Sequence, residues 1–258
     1  MLYDWPEYYE VAFSFRDIPQ ETSFIHNCIE QLSSIPVQRV LEIGCGPASH
    51  AGEFQSLGYQ YSGFDINPKM LAYAREKWQH LDPVPEVFQA DMVSFNCPYR
   101  VDFAYILLGS LYLSSKDEMT SHFDSVARAL NPGGLYFLDW CIQFTNPLHL
   151  KQNNAYAIEK NGIAVLSEFD IKPIDRDRHM YEEFWTVNIN DHGQQRRFEM
   201  LELNKAILPN EFLDFINQRE DFEFVGWWKD WDLNQPIDKY SEVIRPLVIV
   251  RRVNPGIQ

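Results

Sequence analysis

Cysteine is scarce in this 258-residue chain. Its four cysteines, Cys28, Cys45, Cys97 and Cys141, include no pair at CxxC spacing. Neither a zinc site nor a redox dithiol is therefore suggested. No signal-peptide pattern opens the chain, so the thiols read as free groups in a reducing cytoplasm. Long hydrophobic runs are also missing. Nothing approaches the roughly 20 apolar residues of a membrane span. Basic residues are few: 22 Lys and Arg stand against 37 acids, a net charge of −15. Nucleic-acid affinity rests largely on Lys and Arg at phosphates, and the pairs Arg196-Arg197 and Arg251-Arg252 are too isolated to form a basic patch. The charge balance counts against a nucleic-acid partner, and none is expected. No histidine spacing suggests a metal, and there are no internal repeats or low-complexity stretches.

Hydrophobic residues make up 45% of the chain and aromatics 15%. That suits one large α/β domain, or one domain with a sizeable insert. The aromatic surplus fits a bulky core and an aromatic-lined small-molecule pocket equally well. Residues 1–18 are aromatic-rich and irregular. Apolar spacing predicts a helix over 21–32, and strand 39–43 then runs into a glycine loop. A helix over 48–57, a strand 59–65 and a helix opening at Pro68 follow. Strands 87–90, 102–108 and 135–140 alternate with a helix over 116–130, and Asn131-Pro132-Gly133-Gly134 reads as a turn. Five strands alternating with helices predict a doubly wound, mostly parallel sheet. After Cys141 the pattern turns to antiparallel strands over 163–172, 179–189 and 195–206. A helix over 209–218 and strands 223–231 and 246–253 complete the main sheet. The expected organisation is a core over 1–140, a β insert over 141–206 and a return to the core over 207–258.

The chemistry concentrates in Val40-Leu41-Glu42-Ile43-Gly44-Cys45-Gly46. A buried strand ends beside an acid, and two glycines lead into a helix. Glycine lets the backbone approach a ligand closely, and the following helix offers unpaired N–H groups. Two more acids, Asp65 and Asp91, end the next two strands. Ligands of such sheets lie outside the carboxyl ends of the strands, so the three acids line one crevice. Glu42 would repel a pyrophosphate at close range, and Ser49 replaces the third small residue of a dinucleotide fingerprint. No Gly-Lys-Ser/Thr follows, which excludes a phosphate loop. S-adenosylmethionine, with an ammonium, a diol, an adenine and no phosphate, matches these demands.

Four segments together resemble the class I S-adenosylmethionine-dependent methyltransferases: 40–50, 63–74 (beginning Gly63-Phe64-Asp65-Ile66-Asn67-Pro68), 89–95 and 130–138. The resemblance covers about residues 20–140. It implies a Rossmann-like, seven-stranded sheet, with S-adenosylmethionine as donor and S-adenosylhomocysteine as product. Glu42, Gly44, Cys45 and Gly46 would cradle the methionine end, Glu42 through the ammonium or a bridging water. Asp65 would take the ribose diol, Ile66 and Met70 would pack the adenine, and Asp91 would accept from its amino group beside Met92. Leu107 and Leu108 would meet the methionyl chain. The segment Tyr8-Tyr9…Phe15-Arg16-Asp17…Glu21 is similar to the lid of small-molecule N-methyltransferases, which implies Tyr9 and Arg16 at the cofactor carboxylate.

Methyl transfer from a sulfonium mainly requires that the acceptor be positioned and water excluded. No general base stands out. His149 and Tyr112 are the candidates, each weighed against a purely structural role, and Asp139 and Trp140 end the fifth strand. His50 is expected to pack or touch the cofactor, and His122 to be solvated. The insert and the run Trp227-Trp228-Lys229-Asp230-Trp231 are the expected source of acceptor specificity. Similar enzymes use such an insert as a substrate cap or a dimer contact, which leaves a homodimer open. The expected activity is N- or O-methylation of a small molecule in the cytoplasm, with no membrane partner. The readings carried beside it are methylation of a protein or peptide and a non-catalytic cofactor-binding protein on the same fold.

Overall fold

The protein was analysed as a computed structural model, which describes residues 1–149, 154–229, 231–237, 243 and 245–254. Its main sheet has seven strands: β1 (Arg39–Ile43), β2 (Gln60–Asp65), β3 (Glu86–Gln89), β4 (Val101–Ile106), β5 (Leu130–Asp139), β10 (Phe222–Trp228) and β11 (Leu247–Arg252). They lie in the order β10-β11-β5-β4-β1-β2-β3. β1 pairs in parallel with β2 and β4, whereas β11 runs antiparallel to both β5 and β10. The chain leaves β1 towards one edge and returns to β4 on its other side. The crevice outside the carboxyl ends of β1 and β4 is therefore the switch point where such sheets bind ligands.

Both faces of the sheet are covered, which explains why its strands read as near-continuous apolar runs. All six residues of β4 are buried. Val40 packs with α2 (Ile18–Leu32) and α3 (Ala51–Ser56), through Phe24, Ile25, Cys28, Ala51 and Phe54. Its neighbours Leu41 and Ile43 share the opposite core with α5 (Lys116–Ala129) and α6 (Pro209–Asn217), through Phe123, Val126 and Phe212. Side-chain caps fix the helix starts. Asp17 accepts from Gln20 N at α2. Asn67 accepts from Lys69 N and Met70 N at α4 (Pro68–Trp78), with Pro68 in the first turn. Ser115 accepts from Glu118 N at α5. Each cap satisfies N–H groups that the helix itself leaves unpaired.

A second, four-stranded antiparallel sheet holds β6 (Asn154–Lys160), β7 (Ile163–Asp175), β8 (Met180–Asp191) and β9 (Gln194–Lys205). Two-residue turns close two of its hairpins, Asn161-Gly162 and His192-Gly193, all with positive φ. That is the turn whose twist matches paired strands. The inner face carries Val165, Trp185, Val187, Ile189 and Met200, and it packs on Leu2, Tyr8, Val11 and Ala12.

Several details differ from the sequence-based expectation. The N-terminal segment is not irregular: a 3-10 turn over Leu2–Asp4 leads into α1 (Pro6–Ala12). β6 was not expected at all. Asn131–Gly134 lies inside β5 as an irregularity, since the register with β4 shifts between Val101 and Phe103. β10 ends at Trp228, so Trp227 and Trp231 do not share a face. Trp227 packs on Phe144 and Phe224, whereas Trp231, at positive φ, packs on Phe24 and Phe137 on the other side of the sheet. Asp230 of that run lies outside the described residues. Among the described residues no helix is long and apolar enough to cross a membrane.

Candidate cofactor site at the ends of β1, β2 and β3

The loop after β1 turns sharply at Gly44 (φ 67°) and Gly46 (φ 50°), a backbone region that costs glycine little. A methyl group added at Gly44 would lie 3.6 Å from Met92 Cε, and one at Gly46 3.8 Å from Tyr9 Cε1. Met92 and Tyr9 of the N-terminal segment thus border the loop at ordinary van der Waals distance. A methyl group at Gly63 would come within 2.7 Å of Cys45 Cβ. Cys45 is buried, so its side chain packs the loop on β2 and only its backbone faces the loop surface.

Asp65 ends β2 next to this loop. Its Oδ2 accepts from Gly46 N at 2.9 Å and its Oδ1 from Asn67 N at 2.8 Å. Burial raises its pKa above the ordinary aspartate value. Those backbone N–H groups pull it down, and the charge of Glu42 pushes it up further. Each carboxylate oxygen keeps a second acceptor site, so Asp65 can still take ligand hydroxyls. The adjacent Ile66 is 63% exposed, an apolar side chain at the lip of the crevice. Met70, on the inner face of α4, is fully buried. Asp91 follows β3 and is exposed; its Oδ1 accepts from Val93 N, leaving Oδ2 for a ligand donor. Leu107 is buried, and Leu108 sits at φ 59°, its N–H held by Asp139 Oδ2 at 2.8 Å.

Glu42 and Arg16 are placed differently from the simplest expectation. Glu42 is buried, and three protein donors take most of its carboxylate's acceptor sites. Tyr61 OH and Tyr105 OH meet Oε2, and His50 Nδ1 meets Oε1 at 3.1 Å. A direct contact with a ligand ammonium is not part of this geometry. Arg16 is clamped by Glu21 through Nε–Oε1 at 3.2 Å and Nη2–Oε2 at 2.5 Å. Tyr9 packs at a tilt against Phe13 and Tyr3 beside the loop, and burial raises its hydroxyl pKa. His122, expected in solvent, is fully buried between Met92 O and Tyr136 OH. Burial lowers its pKa to about 4, against the raising effect of the Met92 carbonyl, so it is neutral at physiological pH. His149 closes a 3-10 turn over Pro147–His149, and its side chain lies outside the described residues.

Asp139, weighed from the sequence, gathers here with Arg245, Glu183 and Glu202, which sequence reasoning did not single out. Asp139, fully buried at the end of β5, accepts from Arg245 Nε at 2.8 Å and Nη2 at 2.7 Å as well as from Leu108 N. Glu183 and Glu202 stand directly opposite each other on β8 and β9. They fall on the inward parity, in line with Tyr181, Trp185 and Met200. Burial raises both pKa values, and for Glu183 the charge of Glu202 adds to this while Tyr112 opposes it. Tyr3 lies within electrostatic reach of Glu183, Glu202 and Asp65. Among the described residues neither acid makes an ion pair, whereas the outward-facing Glu182 and Glu199 do. The inward parity of Glu183 was the available signal, since alternate residues of a strand share a face.

Residues 40–134 match the family model described as a methyltransferase domain. A relative from Geobacillus sp. (strain WCH70) is 28% identical over 118 residues, 45% of this chain and 48% of its own length. YqeM of Bacillus subtilis (strain 168) is 28% identical over 109 residues, 42% of this chain and 44% of its own length. Both carry methyltransferase in their names, and this chain spans about half the length of each. Among solved structures, an S-adenosylmethionine-dependent methyltransferase from Clostridium acetobutylicum ATCC 824 superposes with a TM-score of 0.76 at 16% identity, covering 96% of both chains. DesVI of Streptomyces venezuelae superposes at 0.74 with 16% identity, covering 95% of this chain and 94% of its own. CalS10, an amino pentose methyltransferase from Micromonospora echinaspora solved with S-adenosylmethionine bound, superposes at 0.70 with 18% identity, covering 95% and 96%. At such identities these likenesses establish the fold. Residues 40–134 thus carry a methyltransferase domain, on a fold that the whole chain shares with solved S-adenosylmethionine-dependent methyltransferases.

Proposed function

We propose that this chain transfers a methyl group from S-adenosylmethionine to an amine nitrogen of a small molecule. The observation that carries the donor half is the positive-φ glycine loop with Asp65 and Asp91 at successive strand ends. Gly44 and Gly46 would hold the methionine end against their backbone. Asp65 would accept from the ribose hydroxyls, Ile66 would cover the adenine, and Asp91 would accept from its amino group. When bound, S-adenosylmethionine supplies an activated methyl on a sulfonium.

The acceptor half rests on Glu183 and Glu202. Two carboxylates directly opposite on a sheet repel, and a desolvated charge without a counter-charge is costly. Such an arrangement favours a ligand that brings a positive charge, and perturbed carboxylates of this kind gather at functional sites. The pair would hold the acceptor ammonium, and a carboxylate with a raised pKa is suited to take the proton that leaves the nitrogen. Tyr112 and Tyr3 would line this end. The lid α1 and the second sheet would shut out water. Structural relatives named for amino-sugar substrates support the same reading. The test is S-adenosylhomocysteine release with a panel of amino sugars, small amines and their hydroxyl analogues. Turnover of amines but not of the hydroxyl analogues supports the reading. Turnover only with the hydroxyl compounds, or only with a protein acceptor, refutes it.

A further inference from the structure

His50 is fully buried immediately before α3, and its imidazole faces a carboxylate on each side. Nδ1 lies 3.1 Å from Glu42 Oε1, at the end of β1, and Nε2 lies 3.1 Å from Glu21 Oε2, in the first turn of α2. Ionised carboxylates only accept, and a neutral imidazole donates from one nitrogen alone. Two carboxylates on two ring nitrogens therefore call for both nitrogens to carry protons. Arg16 Nη2 stands 3.4 Å from Nε2, but it donates to the same Glu21 oxygen at 2.5 Å, so the two cations share one acceptor. Glu42, Glu21, His50 and Arg16 then balance in charge, two against two.

We infer that His50 is an imidazolium strut that fastens the N-terminal lid to the glycine loop, and that it is a positioning residue for cofactor binding. This rests on the reading of that loop as the S-adenosylmethionine site. The strut connects Glu42 on β1, through His50 and Glu21, to Arg16, which leads back through α1 to Tyr9 over Gly46. Tyr61 from β2 and Tyr105 from β4 donate to Glu42. Arg245 approaches Glu21 at 3.8 Å but is held by Asp139 of β5. Burial alone would strip the proton from His50. The charge of Glu42 and the hydrogen bonds to Glu21 and Glu42 outweigh burial and the nearby Arg16, so its pKa lies above the ordinary histidine value. A histidine raised in this way holds its contacts at and below neutrality and loses them as pH rises through the folded value.

The test combines two measurements on the full chain. Imidazole nitrogen shifts of histidine-labelled protein report the charge state of His50. Titration of S-adenosylhomocysteine against pH, for the native chain and for His50→Gln, reports its coupling to the cofactor. A glutamine side chain cannot donate to both carboxylates without turning its carbonyl away from them. The expected result is a doubly protonated ring at neutral pH and native affinity that weakens as pH rises into the alkaline range. In His50→Gln affinity is about tenfold lower at neutral pH, the scale of one charge-assisted hydrogen bond, and the pH dependence is lost. A merely structural histidine would not set the pH profile. A neutral ring at neutral pH overturns the strut even if His50→Gln fails to fold. So does a folded His50→Gln that keeps the native affinity and pH profile. A protonated ring in a native chain that binds no S-adenosylhomocysteine at any pH overturns the cofactor reading instead, and with it the role assigned to the strut.

Discussion

Replacing Asp65 with alanine isolates the end of the site proposed to recognise the cofactor's diol. In the native chain Asp65 uses one lone pair of each oxygen on Gly46 N and Asn67 N and keeps the others for a ligand. Hydrogen bonds to a charged acceptor contribute roughly 1.5–3 kcal/mol each. Losing one such bond, net of water filling the gap, should weaken S-adenosylhomocysteine binding by about 1.5–3 kcal/mol, or roughly 10- to 150-fold. The same substitution leaves the buried Gly46 N without its acceptor, so it should also cost stability, by about 1–3 kcal/mol. Isothermal titration gives the first quantity and urea unfolding the second. Because burial raises the pKa of Asp65, native affinity should also fall on acidification, starting above the ordinary aspartate range. In Asp65→Ala that pH dependence should vanish. An unchanged dissociation constant in the folded variant would remove Asp65 from the site and refute the assignment of the β2 end to the diol.

Asp139→Ala leaves Arg245 and Leu108 N without their shared acceptor. The expected loss is about 3 kcal/mol of stability, the low end for a broken buried pair because Arg245 keeps 30% exposure and can rehydrate; a loss under about 1 kcal/mol in urea unfolding would show that the pair carries no weight. Glu21 is held down to about pKa 2 by His50 and Arg16 against the cost of burial. Its contribution is complete above the unfolded value of 4.5 and is lost as pH falls towards 2. Acid unfolding of Glu21→Gln should therefore be shallower over that range than native, and superimposable curves would contradict the pairing. Glu183→Gln should raise the KM for an amine acceptor roughly tenfold or more while S-adenosylhomocysteine affinity stays within error. A loss of cofactor affinity instead would place Glu183 on the wrong half of the site.

Much of this architecture was legible because burial on both faces writes apolar runs into the strands. Val101–Ile106 is the plainest case, and helices with capping residues such as Asn67-Pro68 announce their starts. The failures have physical reasons. β6 carries only Tyr156 and Ile158 among polar and small residues, and it lies at the edge of a sheet with one wet face. α1 is short, and its aromatic residues pack on a sheet far along the chain. His122 lies three residues after Met119 and four before Val126, a spacing that points inward, but its polarity suggested solvent. The glycine loop and the acids at Asp65 and Asp91 are local motifs and could be read directly. The partners of Glu42 and Arg16 come from β2, β4, α2 and the start of α3, and no local pattern states which donor reaches which carboxylate. The inward position of Glu183 follows from strand parity, whereas its pairing with Glu202 depends on a register set by the His192-Gly193 turn.

The account stands most directly on one measurement: isothermal titration of the purified full chain with S-adenosylhomocysteine, run in parallel with NAD. Saturable binding of one S-adenosylhomocysteine per chain, with no heat from NAD, is the result it predicts. Absence of S-adenosylhomocysteine binding by the folded protein, or a preference for NAD, would contradict it.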